Sequence, residues 1–108
     1  MATLHPFKVT SAGGVVGGLA TQPCPTRLHG WFLSNSGAAT YQIDIHVPAS
    51  TTGGAPPPVP SATDAILFSI QVPATSSKEY FEDKAIELPN GAYAICSNAA
   101  LTGILVIS

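Results

Sequence analysis

The stretch Ile86-Glu87-Leu88-Pro89-Asn90-Gly91-Ala92-Tyr93-Ala94-Ile95-Cys96, closing on Leu101-Thr102-Gly103-Ile104-Leu105-Val106-Ile107-Ser108, decides the fold class. Pro89 presets φ for a chain reversal, and Asn90 and Gly91 accept positive φ. The β-formers on either side are free to pair once the chain has turned. Residues 86–108 therefore read as one β-hairpin that ends inside a sheet. That predicts an all-β domain with its C-terminus tucked in, and it places binding surfaces elsewhere on the chain.

Upstream, the same period of two recurs. Tyr41, Ile43, Ile45 and Val47 alternate with Gln42, Asp44 and His46, and Ile66, Phe68, Ile70 and Val72 alternate with polar neighbours. Tyr80 to Leu88 follows a Pro73 to Ser77 turn, and Thr26 to Ser34 makes a further strand around Gly30, which Asn35-Ser36-Gly37 turns. Leu4 to Thr10 is a weak strand candidate broken by Pro6, and Ser11 to Gly18 reads as a glycine-rich turn or bulge. Gly, Pro and Thr interrupt every window long enough for a helix. The expectation is an antiparallel β-sandwich or jelly roll of about seven to eight strands.

The 108 residues suit one domain, with residues 1–20 as an extended N-terminal arm and 48–63 as a Pro/Gly-rich loop containing Pro56-Pro57-Pro58. Only 9% of the chain is charged, so uncharged Ser, Thr, Ala, Gly and Pro must cover much of the surface. Such a surface suits a protein that works packed against neighbours. A net charge of −2 with four Lys and Arg excludes the clustered cationic footprint of a nucleic-acid binder. Nothing reads as a signal peptide or a membrane span. Cys24 and Cys96 make no disulfide framework; both read as free thiols, Cys96 as a small core residue, while Cys24 between Pro23 and Pro25 sits in an irregular segment compatible with either state.

Chemistry-bearing patterns are sparse. Asp44 and His46 project together at i, i+2, and His29 would complete a metal site only from an adjacent strand in register. Surface polarity is the commoner meaning of such residues. No nucleophile elbow surrounds Ser34 or Ser36. Glu82 and Asp83 are sequential, so in a strand they point apart. Gly13-Gly14-Val15-Val16-Gly17-Gly18 lacks the Lys-Ser/Thr of a phosphate loop. Trp31, Tyr41, Tyr80 and Tyr93 could form a sugar-stacking platform, although Trp31 beside Gly30 more often belongs to a core. No catalytic residue and no cofactor is expected.

The order of Arg27-Leu28-His29-Gly30-Trp31-Phe32-Leu33-Ser34-Asn35-Ser36, Tyr41-Gln42-Ile43-Asp44-Ile45, Ala65-Ile66-Leu67-Phe68-Ser69-Ile70-Gln71-Val72-Pro73, Glu87-Leu88-Pro89-Asn90-Gly91-Ala92-Tyr93 and Gly103-Ile104-Leu105-Val106-Ile107 resembles the small virion proteins of tailed bacteriophages. The resemblance covers roughly residues 26–108. It implies a noncatalytic head decoration or cement protein on the capsid surface, assembled in the host cytoplasm. Its partners would be the major capsid protein and itself, as a homotrimer. Contact is expected through segments outside the shared pattern: Leu4, His5, Pro6 and Phe7 of the arm, and Pro56, Pro57, Pro58 and Val59 of the loop. The alternatives are a glycan- or receptor-binding module, a neck or tail adaptor, and a small hydrolase or metal-dependent enzyme.

Overall fold

A computed structural model describes residues 4–16, 18–19, 22–23, 26–48 and 59–108. The chain is all-β. Its strands are β1 (His5–Lys8), β2 (Gly14–Val16), β3 (Gly18–Leu19), β4 (Gln22–Pro23), β5 (Thr26–Asn35), β6 (Tyr41–Val47), β7 (Ala65–Val72), β8 (Ser77–Leu88), β9 (Ala92–Cys96) and β10 (Leu101–Ile107). Two four-stranded antiparallel sheets, ordered β1-β10-β5-β8 and β2-β9-β6-β7, carry the fold, and β3 and β4 form a separate two-stranded ribbon.

Leaving the ribbon aside, the pairing nests: β1 with β10, β2 with β9, β5 with β8, and β6 with β7. That is a long antiparallel ribbon folded over on itself, the double Greek key of a jelly roll. Consecutive strands then fall in opposite sheets at each fold-over, which corrects the hairpin expected over residues 86–108. β8 lies in the first sheet, β9 in the second and β10 back in the first, so Pro89-Asn90-Gly91 is an arch between sheets. The turn chemistry holds locally: Gly91 has φ 71° and its N–H donates to the Leu88 carbonyl at 3.0 Å. The closing strand lies within its sheet, between β1 and β5.

The N-terminal expectation also changes. Residues 5–8 form an edge strand on β10, with Pro6 opposite Val106, where a missing N–H costs nothing if it points outward. Val15 pairs with Tyr93, and Val9 and Val16 are buried in the core. Residues 5–16 therefore belong to the sandwich rather than to an arm or a simple turn.

The core lies between the sheets. Leu28, Leu33, Leu101 and Leu105 come from the first sheet; Ile43, Ile45, Ile70, Val72, Ala92, Ala94 and Cys96 come from the second. Burying each large side chain contributes on the order of 2 kcal/mol. The bounds of the period-two segments 41–47 and 65–72 match β6 and β7, but the alternation of β7 holds only from Phe68 to Val72: a bulge at Leu67 turns Ile66, expected on the same face, outward to 52% exposure.

Candidate functional site

Pairing register defines the outward face of the first sheet, because residues directly opposite in an antiparallel pair share a face. One row across the four strands is Pro6, Val106, Gly30 and Phe81; the next is Lys8, Ile104, Phe32 and Glu79. The inward row between them contains Leu105 and Trp31, which pack on the core. An apolar centre thus faces away from the core. Phe81 is 50% exposed and Phe32 42%, and Val106 is buried yet stands outside the interior cluster. Polar groups frame this centre: Lys8 on the β1 edge, Glu79 on the β8 edge, the Arg27–Glu87 ion pair at one end, and Thr102, Ser34 and Ser77 at the other. Glycine at position 30 is required by its neighbours, since a Cβ there would meet the Tyr80 carbonyl oxygen.

A second apolar region lies where β7 and β8 edge the two sheets. Ile66 (52% exposed), Leu67 (47%) and Tyr80 are exposed there. Trp31 stacks on Tyr80 with centroids 4.6 Å apart, and Phe68 approaches at 6.0 Å. Both neighbours occupy the indole, while Tyr41 and Tyr93 belong to the other sheet, so the four aromatics form no common platform. Partial desolvation and the neighbouring Glu82 raise the Tyr80 hydroxyl above its usual 10.0. A cavity of about 240 Å³ is lined by Val47, Pro48, Leu67, Glu87 and the 88–91 arch. This concavity sits at the very turn from which the sequence directed binding surfaces away.

The metal candidates do not converge. His29 lies on β5 in the first sheet, with Nε2 2.7 Å from the Ser108 Oγ and its ring stacked on Phe81. Asp44 and His46 lie on β6 in the second sheet. Asp44 accepts from Gln42 Nε2 at 2.8 Å and from the Ser69 hydroxyl. His46 keeps the outward alternation of β6, opposite Tyr93 of β9, and is buried there under its neighbours: Nδ1 lies 2.8 Å from the Asp64 carbonyl oxygen and the ring meets Tyr93 edge-on. Among the described residues no three His, Cys, Asp or Glu side chains come within metal-binding reach of one another. Cys96 is a buried free thiol, pushed up by burial to about 11. Cys24 lies outside the described residues.

Of the expected contact residues, Leu4, His5 and Pro6 are exposed, whereas Phe7 packs on the core. Val59 is half-buried beside buried Pro60. Pro56, Pro57 and Pro58 lie outside the described residues. Sequence reading missed Phe32 and Phe81 as surface groups. The available signal was strand parity: Phe32 falls between Trp31 and Leu33, which point inward.

No protein-family model matches the chain, and no curated protein and no solved structure matches it.

Proposed function

We propose that this chain is a noncatalytic structural protein of a tailed-phage particle, a head decoration or cement protein that holds neighbouring major capsid subunits together. One observation carries the reading: among the described residues five of the six large exposed apolar side chains, all but Leu4, lie on the outer face of the first sheet or on the edge strands β7 and β8. Phe32 and Phe81 share the outer face of the first sheet, while Ile66, Leu67 and Tyr80 flank the adjoining edge. Contiguous exposed apolar surface with a polar frame is the mark of a protein–protein contact. The jelly-roll wrap adds support only by analogy, since this architecture also serves viral coats, lectins and enzymes.

The function follows from binding energy alone. Repeated sites on a shell give each subunit a high local concentration of partners, so interfaces too small to hold in isolation hold together by avidity. A chain with 9% charged residues makes contacts that salt screens little. Mass spectrometry of purified particles is expected to find the chain at fixed stoichiometry, and particles lacking it are expected to lose their genome at lower temperature. Absence of the chain from particles, or unchanged heat resistance after its deletion, would sink the reading. Recovery only with isolated tails or necks would make it an adaptor.

A further inference from the structure

We infer that the outer face of the first sheet is a self-complementary interface that pairs with a second copy of this chain about a two-fold axis. The inference deepens the proposed function only in sharing its premise of noncovalent association, and it stands or falls without the particle.

The two outward rows read, from the β1 edge to the β8 edge, Pro6-Val106-Gly30-Phe81 and Lys8-Ile104-Phe32-Glu79. Stack a second copy face to face, with the axis parallel to the strands and running between β10 and β5. Each row then meets the reverse of itself. Lys8 lies opposite Glu79 of the other copy, and this happens twice by symmetry. Ile104 faces Phe32, Val106 faces the Gly30 position, where the β8 backbone at Tyr80 closes over the glycine, and Pro6 faces the Phe81 ring. Within these two rows each charge meets its opposite, and the Arg27–Glu87 ion pair beyond them is already neutralised within its own copy.

Alternative pairings lack this match. A two-fold axis perpendicular to the strands keeps each strand opposite itself: placed between the rows it sets Lys8 against Pro6 and Glu79 against Phe81, and placed on the second row it sets Lys8 against Lys8 and Glu79 against Glu79. A partner with one sign of charge satisfies only one edge of the face. The edge-to-edge order of cation, apolar centre and anion is answered in full by its own reverse, which is why the occupant is a second copy.

Four strands about 4.8 Å apart give a face about 19 Å wide, so the pair buries on the order of 1,000 Å² in total. That is the lower end for a specific interface, and association in the micromolar range is expected.

Sedimentation velocity on the purified full chain tests this directly across a concentration series. The mass is expected to rise from 11.0 kDa to twice that value. Lys8→Glu and Glu79→Lys, each at an exposed position, are expected to weaken pairing about tenfold by opposing like charges. The double exchange is expected to restore it. Phe81→Ser is expected to abolish pairing while leaving the circular dichroism spectrum unchanged. A mass that stays at one chain, a trimer, or a double exchange as weak as the single ones overturns the proposal. Any of these can occur whether or not particles contain the chain, so failure here and failure of the virion reading are separate results.

Discussion

Asn35 ties the two sheets together through one side chain. It ends β5, is 2% exposed, and donates through Nδ2 to the Val72 carbonyl of β7 at 2.9 Å and to the Ala39 carbonyl at 2.8 Å. Its Oδ1 accepts from the Gly37 N–H at 2.8 Å. Asn35→Ala removes three hydrogen bonds, one of them to the buried Val72 carbonyl, and is expected to cost on the order of 1–3 kcal/mol, measured by urea denaturation. Asn35→Asp keeps the acceptor but sets a carboxylate against two carbonyl oxygens. It is expected to be at least as destabilising at neutral pH and to recover as the pH falls and the carboxyl gains a proton to donate. In the sequence, Asn35-Ser36-Gly37 reads as a turn, which is right. Its inter-sheet role is invisible there because Val72 is 37 residues away.

Strands are legible wherever one face is buried, as β6 and β7 show, because period-two alternation is imposed by that burial. Which strand each one pairs with is not. Pro89-Asn90-Gly91 would look the same in a hairpin and in an arch between sheets, since the turn fixes local φ and not the sheet its strands join. His46 shows a second limit: alternation places it on the outer face correctly, yet Asp64 and Tyr93 cover it there, and both are distant in sequence. The sheet edges differ in how they are protected. β1 carries Pro6 and Lys8, β2 has three residues, and the pairing of β8 with β5 breaks register between Phe81 and Ile86, a segment holding Glu82, Asp83 and Lys84. Among the described residues β7 pairs only with β6 and carries no charge, Pro or Gly, so its free edge lacks these defences. Heating is expected to aggregate the chain through β7. Leu67→Lys, at an exposed position, is expected to raise the onset of light scattering by several degrees with little change in urea midpoint, whereas an equivalent Lys at Glu82 is expected to leave the onset unchanged.

At the scale of the whole molecule the nested pairing makes the two ends of the chain mutually dependent. β1 pairs with β10, and β10 also pairs with β5, so the last strand is interior to its sheet while the first is at its edge. Removing them should therefore have unequal effects. Deleting residues 101–108 takes Leu101 and Leu105 from the core and separates β1 from β5, and no cooperative unfolding transition is expected to remain. Deleting residues 1–8 removes an edge strand and the packing of Phe7, and is expected to cost about 2–4 kcal/mol while keeping a single cooperative transition. A free N-terminal arm would give a different result, with no loss of stability at all, so the shorter deletion separates the two pictures in one denaturation curve. Loop closure between the ends must precede the contacts that compensate for it, so refolding of the intact chain is expected in milliseconds to seconds. Deleting residues 1–8 should leave that rate nearly unchanged if β1 docks last, and the lost stability should then appear as faster unfolding.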